Sequence, residues 1–361
     1  MQAIRRVVTG HGSDGKSKVV TRETEVVAAL QQEKKKEEPM ILITGGLGFV
    51  GPKLARHFLD MGEQVLVTGH RNLQLPSFLG HYLGKGLQIT TMNITDLTTI
   101  LEAITKYGVK SIVHGVSVRE GRAALYQTMA VNVTGSANLL EAARLMNVGR
   151  VSFLSSEAVY QGRKGTTPLK EEEFSWVRSD RYTPVIKKMG ELLFFIYQKD
   201  YKLDMVITRL SRIYGPDYPA GRPITRMITA ALKGGQADLH DINGNEGHDF
   251  LYARDCARAI AMIHLAQKPR HAIYNVGSGK LTKFSDVAQA LEKICPGSVL
   301  KLGTGEVSTT VAIDYVPKTE FDIETCLDIS RIKEEFGFVP EYDLEKGLSA
   351  LVAWVRDGSY Q

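Results

Sequence analysis

Apolar residues fall along this chain in two alternating rhythms. Short continuous apolar runs begin at Met40-Ile41-Leu42-Ile43 and recur at Gln64 to Thr68, Ser111 to His114, Val151 to Ser155 and Leu203 to Arg209. Between them, apolar residues return every three or four positions: Leu54, Phe58 and Met61, closed by Gly62; Val133, Ala137 and Leu140; and Val185, Met189, Leu192, Leu193 and Ile196. The first rhythm is that of strands buried on both faces, the second that of amphipathic helices. Their alternation predicts an α/β fold with a doubly wound parallel sheet.

The junction of the first strand and first helix carries the most chemistry. Met40-Ile41-Leu42-Ile43-Thr44 runs into Gly45-Gly46-Leu47-Gly48-Phe49-Val50-Gly51, with glycines spaced at 45, 48 and 51. Glycine there lets the chain turn tightly, lets a pyrophosphate approach the backbone, and lets the helix pack closely on its strand. The helix N-terminus then faces the phosphates. Strand, glycine turn, helix and second strand in this order predict a Rossmann-type dinucleotide site built from Thr44, Gly45, Gly48, Phe49, Val50 and Gly51.

Residues 1–39 stand outside the alternation. Arg5 to Gly10 and Lys18 to Thr21 read as two short strands around the turn signal Asp14-Gly15, followed by a charged helical stretch from Glu23 to Glu38. Arg5-Arg6-Val7-Val8-Thr9-Gly10-His11-Gly12 resembles the start of some small cupin proteins but is too short to hold a cupin barrel. The segment is read as an arm and linker that either exchanges with a neighbouring subunit or covers an active site, or else has no catalytic consequence.

The 361 residues, 43% of them hydrophobic, suffice for one large domain or two smaller ones. The net charge of +5 comes partly from Lys34-Lys35-Lys36. With no zinc-finger spacing, dense basic helix or aromatic-basic interleaving, no nucleic-acid partner is expected. Cys256, Cys295 and Cys326 are odd in number and far apart, so reduced thiols in a cytoplasm are expected, with no disulfide framework and no metal site. No run reaches the roughly 18 apolar residues of a membrane span and no signal-peptide core appears, so no membrane attachment is expected.

Further segments carry a family likeness. Thr44-Gly45-Gly46-Leu47-Gly48-Phe49-Val50-Gly51 is followed by Asn132-Val133-Thr134-Gly135, Ser155-Ser156-Glu157-Ala158-Val159-Tyr160, Arg209-Leu210-Ser211-Arg212-Ile213-Tyr214-Gly215-Pro216, His248-Asp249-Phe250-Leu251-Tyr252-Ala253-Arg254-Asp255 and Tyr274-Asn275-Val276-Gly277-Ser278-Gly279. In order and spacing this resembles the extended short-chain dehydrogenase/reductases, the NAD-dependent epimerase/dehydratase group, from about residue 40 to 357. The resemblance implies a cofactor domain over 40–215, a smaller C-terminal substrate domain mainly over 216–361 with 272–290 returning to the first, and an active site between them. It implies an NAD(P)-dependent oxidoreductase or epimerase acting at a hydroxyl or carbonyl carbon of a small polar substrate. A nucleotide-sugar epimerase or dehydratase, and a non-catalytic dinucleotide sensor, stay open as alternatives. It also implies a homodimer joined through helices over 133–146 and 184–199.

Cofactor choice has a physical basis: an acid at the end of the second strand grips the ribose hydroxyls of NAD, whereas a 2′-phosphate needs positive charge. Here the strand ends Val67-Thr68-Gly69-His70-Arg71, with Gly69 at the acid's place. NADP is therefore expected, held by His70 and Arg71, with NAD the alternative. Asn93-Ile94 resembles the family's adenine-contacting Asp-Ile pair, with an amide for the acid.

Catalysis departs from the family, which places a tyrosine four residues before a lysine on one helix face. Here the segment is Arg181-Tyr182-Thr183-Pro184-Val185-Ile186-Lys187-Lys188-Met189-Gly190-Glu191. Lys187 and Glu191 match the family's interval, which puts Thr183 in the tyrosine's place and Tyr182 one residue early. Thr183 and Pro184 read as N-cap and first helical residue, which would leave Tyr182 in the preceding turn. Three readings follow: Tyr182 reaches the site and serves as acid/base; Ser156, Lys187 and Thr183 or Glu157 polarise a carbonyl by a changed mechanism; or the site binds without turnover. Ser156 ends a parallel strand and suits a substrate oxygen, and Lys187 suits the cofactor ribose. Glu157, Tyr214 and His248 are expected on the substrate side. His248 stands where nucleotide-sugar relatives carry a diphosphate-clamping arginine, and Arg222, Arg226 and Lys318 are the cations available to compensate.

Overall fold

The computed structural model describes residues 39–118, 123–163, 168–173, 181–304 and 325–357. Residues 1–38, with the expected hairpin and charged helix, lie outside them, as does Lys318. In chain order the strands are β1 Met40–Thr44, β2 Gln64–Gly69, β3 Leu87–Thr91, β4 Val109–His114, β5 Arg150–Ser156, β6 Asp204–Leu210, β7 Arg212–Tyr214, β8 Gly235–Asn243, β9 Gly247–His248, β10 Phe250–Tyr252, β11 Ile273–Val276, β12 Thr282–Lys283 and β13 Ser298–Gly303. The α-helices are α1 Gly51–Asp60, α2 Leu97–Lys106, α3 Leu125–Met129, α4 Gly135–Leu145, α5 Tyr182–Tyr201, α6 Pro223–Lys233, α7 Ala253–Leu265, α8 Phe284–Ile294, α9 Ser330–Phe336 and α10 Leu344–Asp357.

The expected doubly wound sheet is present: seven strands in the order β3-β2-β1-β4-β5-β6-β11, all parallel. Their sequences are continuously apolar because both faces are covered. Ile41, Ile43, Val65 and Val67 pack on one face against α1 and α7, while Leu42, Leu66 and Ile112 pack on the other against α2, α4 and α5. Strand order reverses between β1 and β4, so the crevice at their C-terminal ends is where a ligand fits such a sheet. Strand β3 has no counterpart among the apolar runs. Its sequence Leu-Gln-Ile-Thr-Thr is half polar because it is the outermost strand.

A second core holds Tyr214, Phe250 and Tyr252 with residues of α6, α8 and α10. The chain returns to the first core more widely than residues 272–290. Helix α7, Tyr274, Val276, Ile332 and Phe338 all pack there, whereas Phe284, Val287 and Leu291 of α8 belong to the second core. Helix α5 also begins earlier than its sequence suggests. Arg181 is its N-cap and Tyr182 its first residue, so Thr183 is not the cap. Pro184 is tolerated because the first N–H groups of a helix have no partner within it. Among the described residues no helix is long and apolar enough to cross a membrane.

The close packing of α1 on β1 rests on Gly51. A Cβ there would lie 2.5 Å from the Gly45 carbonyl oxygen and 2.6 Å from the Gly46 Cα, both backbone atoms. Gly51→Ala is expected to destabilise the fold by about 1–3 kcal/mol, as overpacking does. Gly80→Ala, where nothing stands within 4 Å, should stay within about 0.5 kcal/mol. Urea denaturation of both variants measures the difference.

Candidate active site

The glycine turn forms a backbone cradle. Gly45 has φ +70°, and a Cβ on it would meet the Gly115 and Val116 backbone at 2.9 Å. No side chain caps α1 and no acid stands in its first turn, which leaves the positive end of the helix for an anion. The residues present therefore fit a dinucleotide pyrophosphate.

A hydrogen-bonded chain holds the strand ends beneath this cradle. Thr44 Oγ1 lies 2.7 Å from His114 Nδ1 and accepts from the Gly115 N–H at 3.2 Å. His114 Nε2 lies 2.9 Å from Ser136 Oγ, which donates to the Asn132 carbonyl at 2.6 Å. Because Ser136 spends its proton on Asn132, Nε2–H donates to Ser136, and a neutral imidazole then accepts from Thr44 at Nδ1. Burial, with Lys187 nearby, pushes its pKa down to about 3. Asn132 sits in a π-helical turn, Ala130–Thr134. Its amide donates to the Thr128 and Val118 carbonyls and its oxygen accepts from the Val118 N–H, which pins the loop that follows β4.

A cleft of about 840 Å³ opens beside the cradle, with Gly48, Phe49, His70, Arg71 and Val118 in its lining. Arg71 and His70 are exposed there. At Gly69 a side chain would run into the Asn72 carbonyl, so the loop path after β2 has closed over the place where an acid would stand. Asn93 uses its side-chain oxygen on Thr95, accepting from the backbone N–H at 3.2 Å and the hydroxyl at 2.9 Å, while Ile94 is buried against Gly135.

Two of the expected catalytic residues, Ser156 and Lys187, lie at the C-terminal end of β5, two strands away from the cradle. Ser156 Oγ accepts from the Ala158 N–H at 3.2 Å and caps the short helix Glu157–Tyr160. Its proton is left to donate elsewhere. Lys187 Nζ donates to the Leu154 carbonyl at 2.7 Å and stands 5.1 Å from the Phe153 ring centre. Burial lowers its pKa to about 8 against the opposing pull of Glu191. Glu191 is buried, accepting from Ser155 Oγ at 2.7 Å and from Arg209 through two bonds of 2.9 and 2.8 Å. Arg209 also donates to the Tyr160 hydroxyl at 2.8 Å, which donates to Asn275 at 2.8 Å. At about 100° per residue, Thr183 lies about 40° from Lys187 around α5 and Tyr182 about 140°. By the periodicity of α5, Thr183 shares the angular sector of Lys187 and Tyr182 does not.

Two residues expected on the substrate side lie elsewhere. Tyr214 is 1% exposed in the second core, beside Phe250 and Tyr252. His248 is buried with Nε2 2.6 Å from Glu246 Oε1 and its ring edge-on to Phe250 and Phe284. Both alternate inward on short strands whose pattern was too brief to read from sequence. Arg226 is engaged by Asp241. Glu157 is half-buried in the turn after Ser156. The Glu191–Arg209–Tyr160 network was missed as a network, although a charged residue inside each of two apolar elements was its visible sign.

Comparison with known proteins agrees with this geometry. The model of the NAD dependent epimerase/dehydratase family matches residues 41–277. The chain belongs to this family. Within it, a UDP-glucuronate 4-epimerase of Thermodesulfobacterium geofontis is 28% identical over 336 residues, 88% of this chain and 96% of that protein. A dTDP-glucose 4,6-dehydratase of Streptomyces niveus is 26% identical over 341 residues, 88% of this chain and 93% of that protein. Among solved structures, Thermus thermophilus UDP-glucose 4-epimerase in complex with NAD has the same fold, with TM-score 0.73 and 21% identity over 89% of this chain and all of that one.

Removing one partner of the buried Glu191–Arg209 pair strands the other charge, which costs about 3–5 kcal/mol. Glu191→Gln is expected to lose that much in chemical denaturation. Lys187 gives a separate signature with pH. Between its folded value of about 8 and the ordinary lysine value the unfolded chain binds more protons, so the wild type should gain stability on alkalinisation above pH 8. Lys187→Met should lack that gain, and equal slopes in the two proteins would contradict it.

Proposed function

We propose that this chain is a nicotinamide-dinucleotide-dependent enzyme of the epimerase type, acting at a hydroxyl-bearing carbon of a nucleotide sugar. The observation that carries the reading is a glycine cradle after β1 and, at the same end of one sheet, Ser156 ending β5 with Lys187 bonded to the Leu154 carbonyl of that strand, about 10 Å away at a strand spacing of about 4.8 Å. The relatives that act on UDP- and dTDP-sugars match nearly their whole length to this chain, which supports the nucleotide-sugar class. Ala158 directly after Glu157 leaves one carboxylate where a dehydratase carries two acids, which supports epimerisation over elimination.

In this reading the pyrophosphate rests on the turn Thr44–Gly51, the adenine reaches Asn93 and Ile94, and the nicotinamide ribose reaches Lys187. The bound cofactor supplies a hydride acceptor and donor. Ser156 donates to the substrate oxygen while its own oxygen stays on the Ala158 N–H. Thr183, whose hydroxyl stays protonated at any working pH and so offers no base, donates a second hydrogen bond. Lys187, whose pKa stands at about 8, holds or gives up a proton near neutral pH and so takes the acid/base part that the family gives its tyrosine. Tyr182 points away and has no part. Thr183→Val is expected to lower kcat by about a hundredfold and Tyr182→Phe by less than threefold, assayed with UDP-glucose and UDP-glucuronate. The opposite ranking would return the role to Tyr182.

Solved relatives hold NAD, which supports that form here. Arg71 and the absent acid at Gly69 support NADP. Arg71→Ala should weaken NADPH about tenfold and NADH hardly at all, in keeping with a phosphate-specific contact. Equal losses in fluorescence titration would remove Arg71 from the 2′-phosphate. We place the enzyme in the cytoplasm, supported by three unpaired buried cysteines. We also read it as a homodimer through α4 and α5, supported by exposed Val185, Leu192, Phe195 and Ile196 on α5.

A further inference from the structure

Lys53 is the third residue of α1, and its side chain is 1% exposed although no acid stands in the first turn of that helix. Burial lowers its pKa, and the positive end of the helix is a poor place for a cation. Three groups answer this cost. The ammonium stands 4.9 Å from the Phe49 ring centre and 5.9 Å from that of Phe78, and it donates to Asp217 Oδ2 at 3.0 Å across 164 positions of chain.

Asp217 lies in the loop by which the chain leaves the sheet for the second core. The loop turns at Gly215-Pro216-Asp217-Tyr218, with the Tyr218 N–H on the Gly215 carbonyl at 3.1 Å. Asp217 takes φ +60° there. A positive φ at the third position of such a turn favours glycine or asparagine, and an aspartate adopts it at some cost. Its carboxylate is nonetheless directed to Lys53. The next residue, Tyr218, stacks at a tilt on Phe49 with ring centres 5.1 Å apart. Asp217 and Pro219 line the same cleft as Gly48, Phe49, His70 and Arg71. One short loop thus forms a wall of the cleft and is tied at two adjacent points to the phosphate turn.

We propose that Lys53 is a positioning residue which, through Asp217, holds the Gly215–Pro219 loop as a strap across the dinucleotide cleft, so that exchange of the cofactor requires the strap to release. The inference rests on the reading of the cleft as a dinucleotide site. A retained cofactor suits a reaction in which the hydride is taken from and returned to one substrate, because the dinucleotide then has no need to leave between turnovers.

The test measures release of NADH from the wild type, Lys53→Met, Asp217→Gly and the double variant, by stopped-flow fluorescence with an excess of unlabelled NAD as trap. The thermal midpoint of each emptied protein is taken beside it. Asp217→Gly relieves the positive φ, so it keeps the fold even if Lys53→Met weakens it. Each single variant is expected to release NADH about tenfold faster, and the double variant no faster than either, as two groups acting as a unit behave. Release within about twofold of the wild type in both single variants, with lowered midpoints, would make the pair a structural tie and overturn the strap. Rates that multiply in the double variant would overturn it too. If the wild type binds neither NADH nor NADPH, the dinucleotide reading itself falls and the strap with it.

Discussion

Arg209 keeps its charge at any working pH and cannot reach water, and much of the molecule is arranged around that fact. Its guanidinium projects from β6 into a space bounded by α5, by the turn after β5 and by the segment that carries Glu171. Every partner it meets is therefore fixed by the demand for a matching acceptor: the Glu191 carboxylate, the Tyr160 hydroxyl and the Glu171 carbonyl. Tyr160 hands the constraint to Asn275, whose amide bonds the Leu169 and Asp328 carbonyls. A half-satisfied network of this kind costs more than an apolar core, so its geometry is strongly specified. The position of Lys187, one turn before Glu191 on the same helix, follows from it.

The alternation of strands and helices was legible because it depends on burial, which composition records directly. The glycine turn was legible for a similar reason: at Gly45 and Gly51 backbone atoms leave no space for a methyl group. Other features depend on pairings between distant residues. Nothing in the neighbourhood of Lys53 announces Asp217, and β3 escaped notice because an outermost strand needs only one apolar edge. Tyr214 and His248 were read by likeness to segments that line a cleft in the family, yet here ring packing and the Glu246 carboxylate draw them into the second core. The boundary of α5 was misjudged by two residues, an ordinary uncertainty at a helix end. In this case it mattered, because the boundary decides which of two adjacent hydroxyl-bearing residues faces the lysine.

That single rotation has chemical weight. A phenol and an aliphatic alcohol differ by several units of acidity, so a threonine in the tyrosine's place can share a hydrogen bond without accepting a proton. In the mechanism we propose, the burden then moves to a nearby group with an accessible pKa. In this site the ammonium of Lys187 lies on the Leu154 carbonyl and against the face of Phe153, and it is withdrawal from water, against the pull of Glu191, which brings Lys187 toward neutrality.

The sheet is closed on one side by β11, and Ile332 and Phe338 sit in the same core as α1. The half of the molecule that begins at Met40 thus finishes near its far end. During synthesis the glycine turn precedes the strand that covers β6, so the edge of β6 stays bare until residues 273–276 follow, and the core beneath α7 stays open until Phe338 emerges. Contacts of such sequence separation form late, so a product truncated before residue 273 would hold the full glycine motif on a sheet with the β6 edge bare, and one truncated before residue 338 would hold the whole sheet over an incomplete core.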